Sequence, residues 1–256
     1  MKITVIGAGA MGGAFIDGLL SSGTNPSDIT ATRRTSSTLK AWSAKGIKTT
    51  TDNIEAAKGA DILVLAVKPW MVKDVLTQIS PALDRQILIC FAAGIPGKDL
   101  EVMTGKKLPI FTVIPNTAIA ICRSMTFIVP VAAGEEEILR VRGLFEKLGE
   151  TIVTDEAHLG AGTALASCGI AYAMRYIRAA SEGGVELGFK AAEAERIVLQ
   201  TVRGAAELLQ HSGKHPEEEI DKVCTPGGIT IRGLNEMEHY GFSSSVIKGL
   251  KACIKK

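Results

Sequence analysis

Four histidines, five scattered cysteines and a net charge of only +2 leave this 256-residue chain without the material for several kinds of function. Cys90, Cys122, Cys168, Cys224 and Cys253 are odd in number and include no CxxC pair. Neither a disulfide frame nor a zinc site is expected from them; they read as free thiols in a reducing cytoplasm. His211 and His215 stand four apart, but Gly213 and Pro216 interrupt the helix that would aim them together. Ser212 also occupies the place where a metalloprotease needs Glu, so no metal is expected. The near-neutral balance offers no long basic surface to nucleic acid, and no apolar run is long enough to span a membrane. Residues 1–20 already read as strand, loop and helix, which leaves no place for a cleaved signal. With 46% apolar residues the chain has a substantial core to bury.

What is present is organised in two halves. Over residues 1–154, short β-rich runs at 2–7, 28–33, 61–67, 86–91, 109–114, 125–130 and 150–154 alternate with helical patterns. Those helices are expected at 11–22, 36–45, 52–59, 70–80 and 134–148. Near-continuous apolar strands separated by helices predict a mainly parallel α/β sheet covered on both faces, with the last two strands added at one edge. Over residues 155–256 no further clear strand appears, and helices are expected within 160–188 and at 190–211, 217–224, 229–239 and 243–255. Small residues dominate 160–188, which suits close helix packing and burial in an oligomer; a monomeric bundle is the plain alternative.

The chain opens with Ile3-Thr4-Val5-Ile6 running into Gly7-Ala8-Gly9-Ala10-Met11-Gly12. In a strand–turn–helix context each glycine has a physical task. Gly7 allows the tight turn, Gly9 lets the backbone approach a pyrophosphate, and Gly12 lets the helix sit close to the sheet. The helix N-terminus then presents N–H groups and a positive dipole to the anion. A glycine turn without a ligand is the alternative, but an apolar pattern of helical period follows through Phe15, Ile16, Leu19 and Leu20. A dinucleotide site is therefore expected. After the second strand, NAD enzymes usually place an acid on the ribose; here the residues are Thr32-Arg33-Arg34-Thr35-Ser36. Guanidiniums and hydroxyls suit a 2′-phosphate, so NADPH is expected as donor, with NADH as the alternative. Other strand ends supply Ala66-Val67-Lys68-Pro69, Ala92-Ala93-Gly94 and Pro115-Asn116-Thr117 as a small or polar rim.

A second glycine motif reads Thr225-Pro226-Gly227-Gly228-Ile229-Thr230 and is followed by Gly233. It looks like a loop that opens a helix and offers successive N–H groups and two hydroxyls to a small anion. A plain capped helix start is the alternative.

With these motifs the chain resembles the pyrroline-5-carboxylate reductase family, essentially from end to end: IGAGAMG, AVKP at 66–69, AAG at 92–94, PNT at 115–117 and TPGGIT at 225–230. The resemblance implies a Rossmann-like domain followed by a helical substrate-binding and dimerisation domain, NADPH as the usual donor, and a homodimer or higher oligomer. It implies that Thr230 hydrogen-bonds the pyrroline ring nitrogen, while Thr225, Gly227, Gly228 and Ile229 hold the substrate carboxylate. Asn53 would contact the adenosine part of the cofactor, and Glu156 matches a position near the substrate. The implied reaction reduces 1-pyrroline-5-carboxylate to L-proline, with a small imino acid, not a macromolecule, as substrate.

The chain departs from the family at two places. The family's ALSGSGPAY reads Ala164-Leu-Ala-Ser-Cys-Gly-Ile-Ala-Tyr172, and PNTP with a later Gly-Glu-Gly becomes Pro115-Asn-Thr-Ala118 and Cys122-Arg123-Ser124. These changes bear on substrate and efficiency more than on fold. Two other readings stay open. A β-hydroxyacid dehydrogenase shares the two-domain plan, but its acid/base lysine position holds Ala166 and its asparagine position Gly169. A dinucleotide-binding protein without catalysis is the other.

Overall fold

The protein is described by a computed structural model covering residues 1–254. Its first half builds one sheet. The strands are β1 (Ile3–Ile6), β2 (Ile29–Thr32), β3 (Lys48–Thr50), β4 (Ile62–Leu65) and β5 (Ile87–Cys90), followed by β6 (Ile110–Ile114), β7 (Ser124–Ala132) and β8 (Gly149–Val153). Between them lie α1 (Ala10–Ser21), α2 (Lys40–Ser43), α3 (Asn53–Ala57), α4 (Val72–Ile79), α5 (Gly97–Thr104) and α6 (Glu135–Glu146). The order across the sheet is β3-β2-β1-β4-β5-β6-β7-β8. All neighbours are parallel except β6 and β7. The first six strands thus have the doubly wound order whose reversal point, between β1 and β4, opens a crevice at the strand C-termini.

Parallel strands covered on both faces must be apolar on both, and β1, β4, β5 and β6 are buried at every position. Alternate side chains feed two cores. One face packs on α1 and α6, where Phe15, Phe91 and Phe145 meet with ring centroids 5.3–6.0 Å apart. The other packs on α4 and α5 through Leu65, Leu76, Leu88 and Leu100. Truncating one of the buried phenylalanines removes about 3–5 kcal/mol by general experience with such cores.

The expected α/β class and all seven expected strands are present. The eighth, β3, is a three-residue polar edge strand. The pattern at 36–45 forms a 3₁₀ turn and a single α turn rather than one helix. α5 is an addition that the periodicity did not announce. It opens at Pro96-Gly97 with no capping side chain of its own, and the Glu156 carboxylate accepts its Gly97 N–H from 59 residues away.

Beyond β8 the chain is helical: α7 (Glu156–Gly162), a π-helical turn over Thr163–Cys168, and α8 (Gly169–Glu186). Then come α9 (Ala191–Ser212), α10 (Pro216–Val223), α11 (Ile229–His239) and α12 (Phe242–Ala252). The helix expected at 243–255 ends earlier, and residue 255 lies outside the described residues. Packing divides the chain into two compact units, Met1–Ser167 and Cys168 onward. The sheet ends near residue 154, yet α7 stays with the first unit because Glu156 caps α5 and Gly162 lies against the Phe127 ring.

The second unit, taken by itself, has little interior. Ala194 is its only residue in the buried core among those described, packed where Gly184 leaves room for it. Leu187, Tyr240, Met174 and Ile247 are 57–83% exposed. Helices this apolar outside need a covering surface.

Cys122 alone among the described non-glycine residues has a positive φ, 56°, where it ends a 3₁₀ turn over Thr117–Ile121. The resembled family carries glycine here. Its Sγ lies 3.5 Å from the Gly18 carbonyl, and the small side chain is partly buried against the first core. Relief of left-handed strain exceeds the chain entropy that glycine adds, so Cys122→Gly is expected to raise stability by up to about 1 kcal/mol. A urea midpoint measured at constant m-value reads this; a lower midpoint would assign the sulfur contact the larger share.

Candidate functional site

A groove of 530 Å³ runs along the C-terminal ends of the central strands, within the first unit. From the β1–α1 turn it is lined by Gly7, Gly9, Ala10 and Met11. Gly7 adopts φ +93°, and its N–H and that of Ala8 both donate to the Thr32 carbonyl, at 3.2 and 2.9 Å. The turn is thereby tied to the end of β2. A Cβ on Gly12 would strike the Gly7 carbonyl oxygen and lie 3.0 Å from Ala66 Cβ. Gly9 differs: its φ of −82° suits any residue, and a Cβ there would meet only the Gly7 carbonyl, at 3.9 Å. Fold does not demand glycine at position 9, so the open space above it is room for a ligand. α1 has no capping side chain, which leaves its first N–H groups to an anion.

Arg33 and Arg34 line the groove after β2, and both are exposed. An Arg34 guanidinium nitrogen lies 3.2 Å from Met71 Sδ. Thr35 is adjacent and exposed but does not line the groove. Ala66, Val67, Lys68 and Pro69 line it after β4, and Ala92 and Ala93 after β5, with Gly94 in the turn beyond at φ +79°. Among the described lining residues none is Asp or Glu. A glycine cradle, an open helix start, two guanidiniums and no carboxylate fit a phosphorylated dinucleotide.

Three expected residues make bonds within the fold. Asn53 accepts from the Thr32 hydroxyl at 2.7 Å and donates to Gln78 at 2.9 Å, beside the groove rather than in its lining. Asn116 is buried, accepts the Ala118 N–H at 3.0 Å and donates to the Ala166 carbonyl at 3.4 Å. It therefore shapes the wall that its neighbours Pro115 and Thr117 present. Glu156, expected near substrate, is bound to the start of α5. The sequence reading passed over Thr163 and Ser167, which line the groove from the π-helical turn. The one available signal was the run of small residues there, which reads equally well as helix packing.

In the second unit, Thr225-Pro226-Gly227-Gly228 forms a closed turn: Gly228 N–H donates to the Thr225 carbonyl at 2.9 Å and Gly227 has φ +72°. Proline followed by a positive-φ glycine is what a type II turn requires. A Cβ on Gly228 would lie 2.6 Å from Thr225 Oγ1 and 2.9 Å from its carbonyl oxygen, so glycine is required there as well. Gly228 is the N-cap of α11 and supplies no capping side chain. Ile229 and Thr230 are the first helical residues, and Thr225, Gly227, Ile229 and Thr230 are all exposed. The arrangement offers unpaired N–H groups and two hydroxyls to a small anion.

No helix among the described residues is long and apolar enough to cross a membrane, and no group of His, Cys, Asp or Glu among them could hold a metal ion.

Comparison with known proteins agrees with both halves. Residues 156–256 match the family described as pyrroline-5-carboxylate reductase dimerisation, and residues 2–94 match that described as NADP oxidoreductase coenzyme F420-dependent. Pyrroline-5-carboxylate reductase 1 of Dictyostelium discoideum is 40% identical over 97% of the chain; the chain spans about half of that relative, 48%. Pyrroline-5-carboxylate reductase 2 of the same organism is 38% identical over 100% of the chain and 91% of its own length. The solved structure of Plasmodium falciparum pyrroline carboxylate reductase with NADP bound superposes with a TM-score of 0.89 at 26% identity, covering 99% of this chain and 95% of that one.

Proposed function

Because the chain belongs to the pyrroline-5-carboxylate reductase family, we propose that it reduces 1-pyrroline-5-carboxylate to L-proline with NADPH, the last step of proline synthesis. The observation that carries this reading is the Thr225–Gly228 turn feeding the uncapped start of α11. The imino acid demands a clamp of that kind. Its carboxylate must be held, and once the ring nitrogen is protonated the adjoining carbon accepts hydride without a strong general acid. A reduced nicotinamide, when bound, supplies that hydride. The protein's own share is to position. The backbone at Thr225, Gly227, Gly228 and Ile229 fixes the carboxylate, and the Thr230 hydroxyl holds the ring nitrogen, which keeps its proton and becomes the amine. In the first unit, Gly7, Gly9, Ala10 and Met11 line the cradle for the pyrophosphate, with Ala8 and Gly12 buried beneath it in the turn, and Ala66–Pro69, Ala92 and Ala93 form the nicotinamide rim, with Gly94 in the turn beyond. The hydroxyacid-dehydrogenase alternative has no acid to offer: Ala166 stands at the lysine position.

NADPH rather than NADH is favoured by Arg33, Arg34 and Thr35 at the end of β2. A charge-assisted bond to phosphate contributes about 1.5–3 kcal/mol. Replacing both arginines by alanine is expected to raise the KM for NADPH by about ten-fold or more, with little change for NADH; equal effects on both would remove the arginines from phosphate recognition. A homodimer or larger ring formed by the helical half follows from the exposed apolar faces of α8–α12, and light scattering measures it. A cytoplasmic location rests on the free thiols.

The test is NADPH absorbance with pyrroline-5-carboxylate, with its six-membered homologue, and with 3-hydroxyacids in reverse. Oxidation driven by the five-membered imine is expected. Faster turnover of a hydroxyacid would transfer the protein to the dehydrogenases, and NADPH binding without turnover to the silent binders.

A further inference from the structure

The two departures from the family pattern place cysteines in this chain, and one of them is not alone. Cys168, at a serine position of the resembled family, ends the π-helical turn, and Tyr172 follows four residues later on the same face of α8. Cys253 follows α12. The Tyr172 hydroxyl and Cys253 Sγ are 2.7 Å apart, and both lie against the Gly249 carbonyl, at 3.4 and 3.5 Å. Cys168 thus stands one helical turn before the side chain whose hydroxyl touches Cys253 Sγ, and burial and then the Cys253 thiol raise the Cys168 pKa. The hydrogen bond to Cys253 pushes Tyr172 up to about 12, so it stays a neutral phenol able to donate. Cys90 is sealed in the core, where burial pushes it up to about 11, and Cys122 rests on the Gly18 carbonyl.

We propose that Cys168 and Cys253 form a reversible disulfide within one chain when the protein meets a peroxide, with Tyr172 as hydrogen-bond donor to the Cys253 sulfur. Cys253 is the exposed thiol and attacks first. As its thiolate forms an S–O bond, the peroxide O–O bond breaks, and the departing hydroxide takes the proton released by that thiol, leaving water. Cys168 then attacks the Cys253 sulfenic acid. The S–S bond forms, the S–O bond breaks, and the second hydroxide leaves as water with the Cys168 proton. The two sulfurs lose two electrons in all, and the peroxide is reduced to two waters; a dithiol reverses the reaction by exchange. The bond joins the end of α12 to the residue that directly follows groove-lining Ser167 in the chain.

The experiment treats the full chain with hydrogen peroxide, alkylates remaining thiols and maps peptides. The peptides holding Cys168 and Cys253 are expected to leave the alkylated pool as one linked species, recovered with dithiothreitol, while Cys90 stays reduced. Cys168→Ser and Cys253→Ala should each abolish the link, and Tyr172→Phe should slow it several-fold. Two results would overturn the proposal: Cys253 accumulating as sulfinic acid with Cys168 still alkylatable, or Cys253 linked to Cys253 of a second copy. An unchanged rate in Tyr172→Phe would remove the tyrosine's part.

Discussion

Replacing Gly9 by alanine is expected to lower NADPH affinity by about a hundred-fold, roughly 2.7 kcal/mol, while leaving the melting temperature where it is. The reason is the contrast among the glycines of one turn. Position 9 has an ordinary φ and ordinary van der Waals room for a methyl, so the folded chain tolerates alanine. The methyl would project into the space through which a pyrophosphate reaches the α1 N-terminus, where every displaced N–H bond weakens charge-assisted binding. Gly12→Ala is the companion variant, with a different expected signature. Its Cβ would run into the Gly7 carbonyl and crowd Ala66, so the turn itself must shift. That variant should lose affinity and about 1–3 kcal/mol of stability together. Calorimetric titration with NADPH and a thermal scan of both proteins separate the cases. Full affinity in Gly9→Ala would show that no phosphate passes there.

That contrast also marks what a sequence can and cannot disclose. The β1–turn–α1 unit was legible because all its determinants are local: an apolar strand, three glycines at fixed spacing and a helical period that starts at once. β1, β4, β5 and β6 were legible for the same reason, since burial on both faces leaves a continuous apolar run, whereas β2, β7 and β8 show only β-rich runs with partly exposed positions. The misses are non-local. α5 takes its N-terminal cap from Glu156, and no neighbouring residue announces that. β3 is Lys48-Thr49-Thr50, three polar residues whose strand conformation comes from pairing with β2 and not from pattern. Thr163 and Ser167 reach the groove because the helix widens to π geometry over Thr163–Cys168, a backbone event that small residues permit without specifying. Asn53 and Asn116 are a separate case: their side chains have the expected chemistry, and the bonds they make within the fold go to Thr32, Gln78, Ala118 and Ala166.

Thr230→Ala is expected to lower kcat with pyrroline-5-carboxylate by about ten-fold or more, the low end for a positioned polar group. Thr230 is the second helical residue of α11 and is exposed, so its hydroxyl holds up no core. Alanine is the better helix former by several tenths of a kcal/mol, and the variant should fold at least as firmly as the parent. Any loss of turnover therefore reports on chemistry rather than on the helix. If the hydroxyl bonds the ring nitrogen more strongly as the imine becomes an amine, kcat and kcat/KM should fall together, and Thr230→Ser should restore both. Thr225→Ala makes the opposite forecast. If Thr225 belongs to the proposed carboxylate clamp, which would grip substrate and transition state alike, KM should rise with kcat nearly unchanged. The Gly228 N–H to Thr225 carbonyl bond survives that substitution because it is made by backbone alone. Steady-state kinetics on the two variants thus divide the turn from the helix start. Unaltered kcat in Thr230→Ala would mean that the ring nitrogen is held by another group, and the assignment of α11 as the imine-binding element would fall with it.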